Sequence, residues 1–364
     1  MNRKDFLKGS VATAASLALT AGISCTDTSD GQSNSVRPGG AVRKDGKLLN
    51  AYYFRAHMYT MVPSQVREDL QRMADVGTNV VSIAVLEQDL YAAVENIEII
   101  CNEAAKLGME VWAVPSRWGG LLAGAPKVPS MFTILNQDTW TIDEDGSYVS
   151  SRWSGRISSI FHPKTYEFML ETSLKVYETW DIKGIIWDEP KSLNKDFHPL
   201  AIEKLGTNAT IMDHIWENVD FYSRLNQELK AKHPDKATAM FTYAHMDDEL
   251  IYALAQIRGL DIFGCDGRAW GASDEGAVEG RTLNKTLLDN NGQRFIDAAK
   301  KNDKKSLWLI ENHNLVDNDI PLLAKGMPEV VQSDVDHLIY YYYPRSLSKP
   351  DEIMKIVHEN VRNF

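Results

Sequence analysis

Three carboxylates stand where the apolar pattern breaks off. Asp188 and Glu189 follow the apolar run Gly184–Trp187, and Glu311 follows the run Ser306–Ile310. Carboxylates at the ends of two such runs are what cleavage of a glycosidic bond needs. One carboxyl, kept protonated by its surroundings, gives a proton to the leaving oxygen, while the other stabilises or attacks the oxocarbenium-like centre. Groups able to hold a polar ligand stand at corresponding places: Arg55, His57, Glu87, Arg117, Tyr243, His245, Asp266, Arg268, His313 and Tyr341. Of nine Trp, five fall at run ends or in the long connections: Trp118, Trp140, Trp153, Trp187 and Trp270. Sugar rings present flat C–H faces that stack on indole, so Trp118, Trp187 and Trp270 are expected to line a sugar cleft. For Trp140 and Trp153 a small core within their own loop is an equal reading.

The elements that must position these groups follow from periodicity. From residue 48 onward one pattern repeats: a short β-rich apolar run, a loop, an amphipathic helix, then a Gly or polar stop. The expected strands are Ala51–Ala56, Asn79–Val85, Glu110–Val114, Gly184–Trp187, Ala237–Tyr243, Asp261–Gly264, Ser306–Ile310 and Leu338–Tyr342. Val66, Leu70 and Met73 in the first helix, and Ile353, Ile356, Val357 and Val361 in the last, mark buried helical stripes. Pro63, Pro163, Pro321 and Pro350 sit near helix starts, and Gly77, Gly108 and Gly259 at helix ends. Alternating strands and helices give a parallel sheet, and eight such units close as a (β/α)8 barrel. An open doubly wound sheet is the competitor, but the turn from Arg55 to Pro63 has no glycine-rich phosphate loop. Two connections are long, Ser116 to His162 and Asp266 to Leu283, and both lie on the face where barrel active sites are built.

Composition narrows the partners. The chain has 364 residues, 44% of them hydrophobic, with a formal net charge of −11. A nucleic-acid partner is not expected, because phosphate binding rests on clustered basic residues. Three cysteines cannot be a disulfide framework, and Cys265 has no neighbouring cysteine with which to hold a metal. No cofactor and no metal are expected.

Trp187-Asp188-Glu189-Pro190 and Ile310-Glu311-Asn312 resemble the large clan of retaining glycoside hydrolases whose acid/base and nucleophile lie on strands four and seven. The resemblance implies Glu189 as acid/base and Glu311 as nucleophile. Asp188 replaces the Asn usual in that clan, and strand eight ends in tyrosines where Trp is common. The Asp-Glu doublet also resembles hexosaminidases of the substrate-assisted type. There Glu189 would keep its role, Asp188 would orient the substrate's own acetamido group, and Glu311 would bind substrate. Neighbours on a regular strand point to opposite faces, so both can reach one sugar only if the strand has frayed by Asp188.

The first 25 residues read as an address. Arg3, Lys4 and Lys8 precede an apolar run from Val11 to Ile23, the layout of a secretory signal. Asn2-Arg3-Lys4-Asp5-Phe6-Leu7-Lys8 resembles the twin-arginine export motif, with Lys4 at the second Arg. Gly22-Ile23-Ser24-Cys25 resembles a lipobox, which implies lipidation at Cys25 as the membrane attachment, with Gly22 where Leu is preferred. Residues 26–46 read as a flexible tether, and 47–364 as the barrel. The expected setting is the periplasm or cell envelope, and the expected partner an oligosaccharide or glycoside.

Two other classes stay open. A metal-dependent hydrolase would use His57, His245, His313, Asp188 and Asp266, although Arg55-Ala56-His57 lacks the His-x-His of barrels resembling amidohydrolases. A non-catalytic carbohydrate-binding barrel would use the same cleft without needing an acid at Glu189.

Overall fold

The computed structural model describes residues 46–54, 61–124, 127–151, 155–274, 285–344 and 348–364. The expected export signal, Cys25, Arg55, His57 and Trp153 lie outside these, as does all of the tether but Gly46.

Eight parallel strands close into one barrel: β1 (Leu48–Tyr53), β2 (Val80–Val85), β3 (Glu110–Pro115), β4 (Gly184–Asp188), β5 (Ala237–Tyr243), β6 (Ile262–Gly267), β7 (Lys305–Ile310) and β8 (His337–Tyr341). Each pairs with its sequence neighbours, and β8 pairs back onto β1. This is the (β/α)8 barrel expected from the alternating pattern. The crossover helices are α1 (Pro63–Ala74), α2 (Val94–Lys106), α3 (Pro163–Thr179), α4 (Ile211–Lys232), α5 (Asp248–Leu254), α6 (Asn291–Lys301), α7 (Ile320–Val331) and α8 (Pro350–Val361). Val66, Leu70 and Met73 are fully buried against the barrel, and the four prolines occupy first-turn positions. Inside the barrel a second apolar cluster, including Tyr52, Trp112, Ile186, Phe241 and Leu309, fills the space beneath the upper rim.

Three features differ from the expected pattern. β6 does not stop at Gly264. Its glycine is there because a Cβ would fall 1.7 Å from the Leu307 carbonyl oxygen of β7, so the residue permits close strand approach rather than ending the strand. The strand therefore carries Asp266 within it, opposite Tyr243 and Leu309. α6 begins at Asn291, not just after Leu283. A third long upper connection, from Glu189 to the Thr210 cap of α4, holds a short helix at Pro199–Leu205.

A polar cluster lies in the barrel interior at the strand starts. The Asn50 amide donates to Ser82 Oγ at 2.7 Å and stands 3.0 Å from His337 Nε2. Burial pushes the His337 imidazole down to about 3. An imidazole that stays neutral when folded but charges near 6.5 when unfolded gives stability that is complete above pH ~6.5 and is lost as pH falls toward the folded value. Stability measured in urea should fall steadily from about pH 6.5 to pH 4, and His337→Gln should flatten that slope. An unchanged slope would show that other groups drive acid unfolding.

Candidate active site

The upper rim opens into a cavity of about 660 Å³ whose walls include Phe54, Arg117, Gly124, Asp188, Glu189, Lys191, Asp266, Lys285, Glu311, His313, Tyr341 and Tyr343. β4 delivers Asp188 as its last residue. Glu189 then leaves the strand geometry with φ 39°, in the left-handed region that a non-glycine residue occupies at a cost of ~1–3 kcal/mol. Its N–H still bonds the Phe241 carbonyl at 3.0 Å. The strand has not frayed by Asp188, which still pairs with Phe241; the left-handed turn one residue later is what lets Asp188 and Glu189 line one cavity.

Glu311 follows β7, with its N–H on the Gly267 carbonyl at 2.9 Å. Asn312, the next residue, does not face the ligand space. Its side-chain amide donates to the Tyr341 carbonyl and accepts from the Tyr341 N–H, both at 2.8 Å, and so fastens the β7 rim to β8. Tyr341 stacks on Phe54 at 5.5 Å and 23°, and His313 lies against it at 4.5 Å.

One cation organises the carboxylates. Lys285 Nζ stands 2.7 Å from Glu311, 2.8 Å from Asp266 and 3.2 Å from Glu189. Lys191 Nζ reaches Glu189 at 2.6 Å and the Tyr243 hydroxyl at 2.5 Å. One oxygen from each of Glu189, Asp266 and Glu311 lies within 4.8 Å of the other two. That spacing would suit a cation, and the Lys285 ammonium already stands among them.

The electrostatics separate these acids. Burial pushes Glu189 up, but Lys285 and Lys191 outweigh it and hold the group at about 2. Glu311 is likewise kept below the usual carboxylate range, by Lys285 and then His313 against burial. Asp266 goes the other way: burial, with repulsion from Glu189 and Glu311, outweighs Lys285 and drives it well up. Burial, and then the Glu189 charge, raise Asp188 to about 7. The expectation that surroundings keep Glu189 protonated is therefore not met in the free site, because two ammonium groups touch it.

Several expected ligand residues have other work. Trp118, Trp187 and Trp270 are each at most 1% exposed. Trp118 donates to the Val85 carbonyl and Trp187 to the Asn226 side chain, each at 2.9 Å. These three indoles are core rather than sugar platforms; burial won over the stacking that their rim position suggested. Trp140 belongs to its loop's own small core, bonded to the Thr133 carbonyl at 2.7 Å. Glu87 is buried and accepts from Ser130 Oγ, the Phe132 N–H and the Gly119 N–H, so it braces the connection after β3. His245 is exposed beside Tyr243 and lines a neighbouring groove, while Arg268 is half-buried at the end of β6. Arg117, with φ 62°, does reach the cavity. Sequence reasoning missed Phe54, Lys191 and Lys285. Lys191 carried a signal, two residues past the Asp-Glu doublet; Lys285 carried none, since it follows a long connection without periodicity.

No protein-family model matches the chain, and no curated protein matches it in sequence. Solved structures do match it in fold. It aligns with a β-galactosidase from the psychrophilic Marinomonas ef1 at TM-score 0.57 and 11% identity, over 86% of this chain and 59% of that one. An endo-1,4-β-mannanase from Rhizomucor miehei aligns at TM-score 0.53 and 12% identity, over 87% and 93%. A GH20 exo β-N-acetylglucosaminidase from Vibrio harveyi aligns at TM-score 0.54 and 9% identity, over 87% and 54%. The chain thus spans less than two thirds of the galactosidase and of the glucosaminidase. These likenesses establish the barrel.

Proposed function

We propose that the chain is a glycoside hydrolase that cleaves an oligosaccharide or glycoside with retention of configuration, Glu311 acting as nucleophile and Glu189 as acid/base. The observation that carries this reading is the approach of Glu189 and Glu311 in the cavity, one oxygen of each within 4.8 Å of the other. Retaining enzymes hold their two carboxyl groups about 5–5.5 Å apart, against roughly 6.5–9.5 Å where a water must fit between. A Glu311 oxygen attacks C1 while Glu189 protonates the departing oxygen; water, deprotonated by Glu189, then releases the sugar. Phe54, Tyr341 and Tyr343 supply aromatic faces for the sugar in place of the buried indoles. The carbohydrate-active names of the fold neighbours agree with this reading. Export to the periplasm or cell envelope, with a lipid on Cys25, is part of the proposal and rests on the N-terminal residues alone.

A second reading is favoured by one observation. The left-handed turn at Glu189 brings Asp188 to the same cavity, as substrate assistance by a 2-acetamido group requires. Purified residues 26–364 should release product from a panel of aryl glycosides, some with 2-acetamido groups, and Glu189→Gln should lower turnover ~10²–10⁴-fold. Turnover confined to 2-acetamido sugars would transfer the partner role to Asp188. No turnover, with glycan binding retained, would make the barrel a binding protein.

A further inference from the structure

The proposed acid is ionised in the free site, so its proton must come from elsewhere. Asp266 lies on β6 with its side chain 5% exposed, Oδ2 on Lys285 at 2.8 Å, and Oδ1 without a hydrogen-bond partner among the described residues. A fully ionised Oδ1 buried beside two other carboxylates would be both unsatisfied and repelled. Charge counting points the same way. Glu189, Asp266 and Glu311 carry three negative charges against the two ammonium groups of Lys191 and Lys285, while Asp188 in the same cavity is offset by the Arg117 guanidinium, so one proton neutralises the cluster. Around Asp266 stand Glu189 from β4, Tyr243 from β5, Glu311 from β7, Tyr341 from β8, and Lys285. Of the cluster's three acids, Asp266 is the one whose surroundings favour the neutral form; the two glutamates are both held low.

Building on the hydrolase reading above, we propose that Asp266 is a positioning residue that stores the catalytic proton and passes it to Glu189. In the first half-reaction the Asp266 carboxylic acid gives its proton to the Glu189 carboxylate. Glu189 gives a proton to the glycosidic oxygen as the C1–O bond breaks and a Glu311 oxygen bonds to C1. In the second half, Glu189 takes a proton from the water whose oxygen attacks C1, the bond from C1 to Glu311 breaks, and the proton returns to Asp266. Lys285 keeps both glutamates charged while the proton waits on Asp266. Atoms and charge balance over the cycle, with water the only co-reactant.

The test compares paired glycosides of one sugar, one leaving as 2,4-dinitrophenolate and one as phenolate. Only the second needs a strong acid. Asp266→Asn should lower kcat/KM for the phenyl glycoside at least ~30-fold more than for the dinitrophenyl one, within the range that acid catalysis supplies. Asp266→Glu should restore part of the difference. Equal losses on both substrates, or no loss on either, would overturn the relay. A second readout needs no turnover, and is read on variant protein whose circular dichroism matches the wild type. At about pH 8 the infrared carbonyl band of a buried protonated carboxyl should be present in the wild type, and its loss on Asp266→Asn should confirm the assignment. Absence of the band in the wild type refutes storage on Asp266. A wild type inactive on every glycoside but showing the band would refute the hydrolase reading and the relay, while leaving the proton located.

Discussion

Replacing Glu311 with Ala should abolish turnover by roughly 10⁴–10⁶-fold, the scale of losing a covalent nucleophile. The carboxylate stands at the rim of β7, mostly buried and 2.7 Å from Lys285. On the proposed mechanism, alanine leaves space on the side from which C1 is attacked. Azide, a small anion, should occupy that space, restore part of the rate with an activated aryl glycoside, and yield a glycosyl azide of inverted configuration. The rescue separates a missing nucleophile from a damaged fold, because a misfolded rim cannot be repaired by an anion. If Glu311→Ala keeps turnover on 2-acetamido glycosides, within about tenfold of the wild type, the nucleophile belongs to the substrate and Asp188 takes the partner role.

Lys285→Met should cost about 3–5 kcal/mol of stability at neutral pH, the range for removing one member of a buried ion pair. The lysine is the common neighbour of Glu189, Asp266 and Glu311, and methionine keeps its length while leaving the charges of Glu189 and Glu311 facing each other. The pH dependence gives a sharper check. In the wild type Glu189 and Glu311 are held below their usual range, so they contribute stability that is present above pH ~4.5 and is lost as pH falls toward their folded values. Without the ammonium those carboxyls move up and take protons readily. The gap between wild type and variant should thus be largest near pH 7 and shrink toward pH 4.5. Urea titrations at the two pH values measure it; a gap that stays constant would mean Lys285 matters only through packing.

Much of the barrel was legible because its signals are local and repeated. Stripes such as Val66, Leu70 and Met73 recur once per unit, and first-turn prolines punctuate them. The end of β6 was not legible, since the glycine at 264 answers to a carbonyl on β7 rather than to its own neighbours. The same distinction governs the site. Asp188, Glu189 and Glu311 are found at rim positions because strand ends can be read from periodicity. What surrounds them is decided across the barrel. Lys285 reaches three strands' carboxylates from a connection with no pattern, and it inverts the proton assignment that Glu189 would carry in isolation. Indole misled for a related reason. Trp187 is apolar enough to fill a core and flat enough to hold a sugar, and only Asn226 across the helix layer shows which use prevails.

The Asn312 clasp makes the Glu311 wall and the aromatic wall a single mechanical unit. Backbone pairing between β7 and β8 reaches Tyr340 opposite Ile310, and the side chain of Asn312 adds one further rung beyond it. A rung built from backbone is indifferent to mutation; one built from a carboxamide is encoded by a single residue. The floor of the barrel is therefore insulated from sequence change at this edge while the rim is not. The separation between Glu311 and Tyr341 can be tuned by one codon, without disturbing the eight-strand closure that carries the fold.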